Sequence, residues 1–442
     1  PKEYYGGLSK LWKLRRPLYG LRTAPKHWQD HFADVLEKLG ARRLKSEANV
    51  YFFKSTLHYV LVYVDDVMII GTNPQTIFDS IAKELLLIFI TNFDSGVETK
   101  FLGRVLQHKG DYIVISMSDE YIDTMLDDFG LKDCKGAITP GTSGRKTTDG
   151  VSQLNSQGAT DYRKGVGKLM WITPIRADIY FAVKELSRAL REPTEDDLAR
   201  LKHALRYVSG TRNYTLIIRP TVKATSHIET TCAVDSDWAG CQDTRKSTSG
   251  GVLRILGSAL HAYARTQSTI ATSSGEAELY AIGSGASEAL GAVQFLQESR
   301  LALTTSITIE TDSTAAKSIA TRTGVSKLTK HIQLRFLYIQ DLVKNSVPRI
   351  VKVHTSVNPA DVMTKHLTQH VLKKHLENLG LWCEDGFDFG TNEASVVNST
   401  MHDSSKTFTI GMIAISFNNE DYVTRPTITH TSFGSDYTSQ QA

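Results

Sequence analysis

Four carboxylates, Asp235, Glu276, Asp312 and Asp361, each stand where an apolar strand or a helix start gives way to small polar residues. Their local strings are TTCAVDSDWAG (230–240), TSSGEAELYAIG (272–283), SITIETDSTAA (306–316) and VKVHTSVNPADVMTK (351–365). Carboxylates gathered from distant strings suit hard divalent ions such as Mg²⁺, which prefer oxygen ligands. Two such ions, roughly 3.5 to 4 Å apart, activate a water for attack on a phosphodiester and stabilise the oxygen that leaves. The residue types and their order point to a metal-dependent nuclease. Each position also has a plainer reading. Glu276 opens a helix, where the dipole favours a carboxylate without any catalysis. Asp312 and Asp361 stand where helix N-caps would. Two residues further on, Asp237 competes with Asp235 and Glu278 with Glu276.

To bring these residues together the chain needs strands that end near one another. Residues 307–311 form an apolar strand leading into Asp312, and GGVLRILGSALHAYA (250–264) reads as an antiparallel pair joined at Gly257 and Ser258. Residues 275–298 place Leu279, Ile282, Leu290, Val293 and Leu296 on one helical face. Short strands, a long helix, a strand and helix, then a last helix, strand and helix predict an α/β layer.

A second acidic pair, Asp65 and Asp66, lies in HYVLVYVDDVMIIG (58–71) between two apolar, β-rich runs. This is a hairpin with charge at its tip. Adjacent side chains on a strand point to opposite faces, so both carboxylates cannot share one shelter. An exposed turn accounts for them without chemistry.

At 442 residues with 41% apolar content, the chain has room for two or three domains. The run LLLIFI (85–90) is far short of the roughly 20 residues of a spanning helix, so no membrane association is expected. No basic, apolar and small-residue leader follows Pro1, which suggests an intracellular, non-secreted product, processed or excerpted from a longer chain. Four widely spaced cysteines argue against a zinc knuckle and a disulfide scaffold. The net charge of +4 hides an asymmetry: residues 369–442 hold four Lys/Arg against nine Asp/Glu, leaving about +9 on the first 368. A basic body suits a polyanionic partner, although solubility alone explains modest charge.

Along the chain, residues 1–136 mix strand-like and amphipathic helical stretches. The Gly/Ser/Thr-rich 137–160 reads as a linker, and 161–225 as helical. Residues 226–368 hold the α/β layer, and 369–442 form an acidic, Ser/Thr-rich tail expected to be disordered. Trp171 and Trp238 are expected in the core.

YVDD in its hairpin resembles the catalytic hairpin of reverse transcriptases, and PLYGLRTAPKHW (17–28) resembles a string of copia-type retrotransposon polyproteins. Similar stretches follow in FLGRVLQHKGDYIVISMSDEYIDTML (101–126) and YRKGVGKLMWITPIRADIYFAVKELSR (162–188). The ribonuclease H part of that family is matched by DSDWAGC, KSTSG, SSGEAELYA, IETDSTAA, TKHIQLRFLYIQ and NPADVMTK. The resemblance covers roughly residues 5–368. It implies an α+β palm remnant of a reverse transcriptase, followed by a ribonuclease H-like α/β domain with a mixed sheet.

It also implies roles. Asp65 would ligate metal at a polymerase site with Asp66 beside it and Tyr63 near the primer or template backbone. Gly20, Leu21 and Arg22 would shape the nucleotide and template pocket. A further polymerase Asp, upstream of the LYGL string in this family, is not in this sequence, so no DNA synthesis by this chain alone is expected. In the nuclease half, Asp235, Glu276, Asp312 and Asp361 would hold two Mg²⁺ ions, with Mn²⁺ as an alternative. Lys330 and His331 would face the phosphates of an RNA–DNA hybrid, and His354 would help the product leave. The implied partners are the hybrid, an RNA template and a DNA primer, with integrase and polymerase segments encoded upstream. The competing reading is a decayed retroelement fragment that binds nucleic acid without turnover.

Overall fold

The computed structural model describes residues 18, 20–64, 66–85, 91–93, 98–143, 152–222, 224–324, 332, 334–383 and 411–416. Helix α1 (Ala24–Lys38) carries Pro25 in its first turn, where a missing N–H leaves no helical bond unmade. It buries Phe32, Ala33, Val35 and Leu36. Strands β1 (Arg42–Arg43), β2 (Val50–Phe53), β3 (His58–Tyr63) and β4 (Asp66–Gly71) follow as an antiparallel ladder. Helix α2 (Pro74–Leu85) buries Ile77, Phe78 and Ile81 in the core that α1 shares. Strand β5 (Thr91–Phe93) completes this sheet from beyond a strand late in the chain, Gly411–Ser416.

Strands β6 (Glu98–Phe101), β7 (Arg104–Lys109) and β8 (Tyr112–Met117) form a meander that leads into helix α3 (Asp119–Asp127). Helices α4 (Ser156–Ile172), α5 (Tyr180–Ser187) and α6 (Glu195–Gly210) come next. A reciprocal cap between Thr194 and Asp197 opens α6. Strand β9 (Tyr214–Ile218) then pairs with β8 in the register Ile113 to Ile218. That pairing corrects the boundary expected near residue 136, because one sheet holds strands from both sides of it. The linker expected over 137–160 is also shorter: Asn155 caps α4 through Gly158 N, so helix begins inside it.

The candidate nuclease layer is a mixed sheet of β10 (His227–Ser236), β11 (Thr248–Ile255), β12 (Ser258–Thr266), β13 (Thr304–Thr311) and β14 (Pro348–Lys352) in the order β12-β11-β10-β13-β14. The first three strands are antiparallel neighbours, and β13 and β14 run parallel to β10. The hairpin joint expected at Gly257 and Ser258 sits one residue earlier, at Leu256 and Gly257, whose φ values of 51° and 81° are those of a tight turn matching strand twist, and Ser258 already begins β12. Helix α7 (Ser274–Glu298) crosses the sheet to reach β13, with α8 (Thr314–Thr321) and α9 (Leu334–Lys344) completing its cover. Gly285 lets α7 close in: a Cβ there would meet Val234 Cγ1 at 2.4 Å.

The tail expected from 369 onward is structured at its start. Helix α10 (Gln369–Leu376) and β15 (Leu381–Cys383) fold back, and β15 pairs with β9. Leu372, Leu379 and Leu381 enter a core with Leu169, Leu186 and Leu216, and Val252, Ala259, Val362 and Met363 reach the same core from the side of the mixed sheet. Apolar burial outweighs the acidic composition there. Strand β16 (Gly411–Ser416) pairs with β4 and β5, and the rest of the tail lies outside the described residues. Among the described residues no helix is long and apolar enough to cross a membrane.

The C-terminus of α7 is fastened to the N-terminal sheet. The Glu298 carboxylate accepts from Lys45 N, Ser46 N and Ser46 Oγ, each at 2.7 Å, and Tyr59 Oη donates to Ser299 O at 2.8 Å. These donors, Lys45 N first, hold the Glu298 carboxyl down at about 2. Glu298→Ala removes all three acceptor contacts. It is expected to speed trypsin cleavage after Arg42, Arg43 or Lys45 by about tenfold, because local opening frees this segment. Peptide mapping over a digestion time course measures it, and an unchanged pattern would show that the fastening does not hold the segment.

Candidate active site

Parallel strands finish on one edge of a sheet, and this geometry gathers the carboxylates. Asp235 is the penultimate residue of β10, Asp312 follows the last residue of the adjacent β13, and the segment after β14 returns along the same edge as the turn Pro359–Met363. β12 runs in the same direction as β10, so the N-terminus of α7 starts there too. Asp235, Asp312 and Asp361 each offer an oxygen within 4.8 Å of the others, and Asp235 and Asp361 are buried.

Several contacts lock this arrangement. Asn358 Nδ2 donates to Val234 O at 2.9 Å while its Oδ1 accepts from Ala360 N at 3.1 Å, tying the turn that carries Asp361 to β10. Thr364 Oγ1 donates to Asp235 Oδ2. Gly250, opposite Asp235 in the ladder, gives the turn room: a Cβ there would stand 2.5 Å from Met363 Cβ and 3.2 Å from Ala360 O. On the exposed side, Thr355 Oγ1 donates to Asp312 Oδ2 at 2.6 Å.

The fourth carboxylate departs from expectation. Glu276 Oε2 accepts from Thr272 N and Oγ1, both at 2.7 Å, and its Oε1 accepts from Tyr280 Oη. Ser273 Oγ accepts in turn from Glu276 N at 3.2 Å. Glu276 therefore serves the start of α7, the plainer reading. Glu278, about 200° further round the helix, faces the cluster instead. Its Oε1 accepts from Ser236 N at 3.3 Å, and its buried Oε2 has no hydrogen-bond partner. Burial first, then Asp235 and Asp312, push its carboxyl up to about 9. The signal was in the sequence: Ser273-Ser274-Gly275-Glu276 has the S-x-x-E spacing of a capping box, which assigns the first Glu to the helix end and frees the second.

Burial, then Asp235, raises Asp361 to about 6 against the opposing effect of Lys365. So much negative charge in a poorly solvated place calls for a cation, and an all-oxygen donor set with one unpartnered buried oxygen fits a hard divalent ion. The acidic trio can bind metal ions. Asp237 takes no part: its Oδ1 accepts from Thr248 N.

Of the other expected residues, His354 stands next to Thr355, with Nδ1 2.8 Å from Ser356 Oγ, beside the exposed flank of Asp312. Lys330 and His331 lie outside the described residues, as does Asp65. Asp66 begins β4 opposite Tyr63, which is exposed at the hairpin tip. Val64 there has φ 52°, and its carbonyl accepts from Trp28 Nε1 at 2.8 Å, so α1 braces the tip. Gly20, with φ +91°, and Arg22 are exposed just before α1. Both tryptophans expected in the core are instead at the surface. Trp238 is 56% exposed and pinned through Nε1 to Ala271 O at 3.2 Å; Trp171 is 42% exposed with Arg104 over its ring.

Residues 3–143 match the family described as reverse transcriptase (RNA-dependent DNA polymerase). The chain is 28% identical over 379 residues to the retrovirus-related Pol polyprotein from transposon RE1 of Arabidopsis thaliana, covering 84% of this chain and 25% of that polyprotein. It thus spans about a quarter of that relative's length. It is 31% identical over 252 residues to a putative transposon Ty5-1 protein of Saccharomyces cerevisiae, covering 56% of this chain and 79% of the relative. Among solved structures, a foamy viral protease-reverse transcriptase in complex with double-stranded DNA aligns at a TM-score of 0.43 and 11% identity, over 75% of this chain and 49% of the other. With a reverse transcriptase match at one end and retrotransposon relatives aligned along most of its length, the chain belongs to the copia-type retrotransposon Pol polyproteins.

Proposed function

We propose that this chain is a metal-dependent ribonuclease H acting on the RNA strand of RNA–DNA hybrids. The observation that carries the reading is the convergence of Asp235, Asp312 and Asp361 within 4.8 Å, with Glu278 turned toward them. Asp235, Glu278, Asp312 and Asp361 would hold the ions, Mg²⁺ or Mn²⁺; when bound, these supply a nucleophilic water at neutral pH and charge stabilisation for the departing 3′ oxygen. The chain's own residues do the positioning. Thr364 orients Asp235, Thr355 orients Asp312, and Asn358 fixes the turn that presents Asp361. Selection of RNA rests on backbone shape and 2′-hydroxyls rather than base edges, so cutting is nearly sequence-neutral. Lys330, His331 and His354 are proposed to contact the hybrid.

For the N-terminal half, Asp65 and Asp66 are proposed as carboxylates of a reverse transcriptase hairpin, with Tyr63, Gly20 and Arg22 along the nucleic-acid path. Exposure of Tyr63, Gly20 and Arg22 supports contact with a large ligand.

The test is incubation of the purified chain with a labelled RNA–DNA hybrid and Mg²⁺, beside an EDTA control and Asp312→Asn. Loss of the RNA strand is expected only with metal and with Asp312 intact, the variant falling by about a thousandfold or more. Hybrid binding, followed by fluorescence anisotropy, is expected to stay within about threefold. A folded chain that binds hybrid but never cuts would instead support a decayed, binding-only fragment.

A further inference from the structure

Lys365 lies four residues after Asp361, and its Nζ is 2.9 Å from Asp361 Oδ1 and 3.6 Å from Asp235 Oδ2. It places a positive charge against two members of the trio proposed above to hold metal. Its carboxylate partners are nearly inaccessible, whereas the Lys365 side chain is 45% exposed. The lysine therefore has solvent to move into and the two acids do not. Asp312 supplies a third nearby negative charge, and Glu278 faces the same cluster from α7. Of the groups packed near, His375 on α10 and His366, which stacks edge-on against Phe181, add no negative charge.

We propose that Lys365 is a displaceable cation built into the site. Without metal, its ammonium neutralises Asp235 and Asp361 and keeps the acids from driving one another apart. When divalent ions load, two like charges cannot share that space, and the ammonium swings outward on its four-carbon stem. There it pairs with a phosphate of the bound nucleic acid, next to the place of attack. A compact, flexible point charge is suited to this exchange, whereas a planar guanidinium held by two hydrogen bonds is not. The inference rests on the ribonuclease H reading.

Its test is calorimetric titration of Mg²⁺ into the full chain without nucleic acid, for the unaltered protein, Lys365→Met and Lys365→Arg. Removing a competing unit charge 2.9 and 3.6 Å from two of the ligands is expected to tighten Mg²⁺ binding by about tenfold in Lys365→Met, while Lys365→Arg stays within about threefold. The KM for hybrid at saturating Mg²⁺ is expected to rise about fivefold in Lys365→Met, because one phosphate contact is lost. Equal or weaker Mg²⁺ binding by Lys365→Met overturns the proposal, and an unchanged KM overturns its phosphate step. If Lys365→Met does not fold, tighter binding by Lys365→Gln is required in its place. A folded, unaltered chain that binds no Mg²⁺ overturns the nuclease reading itself, a different outcome from binding that is indifferent to Lys365.

Discussion

Glu278→Gln is expected to lose about a thousandfold of metal-dependent cleavage, whereas Glu276→Gln stays within about tenfold of the unaltered chain. The two residues differ in what they face, not in chemistry. Glu276 is spent on Thr272 and Tyr280 at the start of α7, while Glu278 has a buried oxygen with no partner and lies within electrostatic reach of Asp235 and Asp312. A stability measurement should move in the opposite direction. With its carboxyl raised to about 9, folded Glu278 keeps a proton that the unfolded chain releases near the ordinary value of 4.5. Metal-free stability therefore falls as pH rises from the unfolded value through the folded one. A Gln has nothing to titrate, so EDTA-treated Glu278→Gln should exceed the unaltered chain by about 1–3 kcal/mol at pH 9, with little difference at pH 4. Urea unfolding at the two pH values, paired with hybrid cleavage, checks both. Equal cleavage losses in the two variants would remove the distinction drawn here.

The second large effect is expected at a residue without a functional group. Gly250→Val places carbon where Met363 Cβ and Ala360 O already stand, and the latter is backbone that cannot rotate away. The turn carrying Asp361 must lift from β11, costing about 1–3 kcal/mol of stability. A displacement of roughly 1 Å is enough to lower cleavage by about a hundredfold. Mg²⁺ affinity should drop with it. Gly167→Ala on α4, where nothing lies within 4 Å of the new carbon, serves as a comparison. It should leave cleavage unchanged and raise stability slightly, since alanine favours helix. Thermal unfolding and cleavage rates of the two variants would show whether Gly250 sets the Asp361 position. Full activity in Gly250→Val would exclude that role.

How much of this was legible beforehand depended on the range of the signal. Asp235, Asp312 and Asp361 stand out because each sits at the end of a strand or in a turn, which local pattern reveals, and strand direction does the rest. The hairpin was legible for the same reason, with its turn falling one residue before the Gly257–Ser258 joint that the pattern suggests. Between Glu276 and Glu278 two signals compete: family likeness favours the first, whereas the S-x-x-E spacing gives that residue to the helix start, where the structure finds its hydrogen bonds. The pairing of β8 with β9 was invisible: nothing local to Ile113 announces Ile218, and the Gly/Ser-rich stretch between them looks like a boundary. Composition likewise hid the order after Gln369, since three buried leucines decide it against many polar neighbours. Trp171 and Trp238 failed in the other direction, because a large aromatic is usually sheltered and here both are exposed.

The core in which Val252, Ala259, Val362 and Met363 meet Leu169, Leu216, Leu372 and Leu381 limits how this polypeptide can be divided. A fragment trimmed to 226–368 would carry every carboxylate of the trio yet leave Val252, Ala259, Val362 and Met363 facing water. It would be sticky and poorly folded, and its silence in an assay would say nothing about chemistry. Recombination meets the same barrier: a piece that starts at α4 still loses Ile122, Met125 and Leu126 of α3 from that core and β8 from beside β9, so a piece transplanted with its interior closed must begin before β8 and run through β15. The heritable module is therefore larger than the catalytic one, and lineages that lose either flank should lose cutting even with all the acids in place.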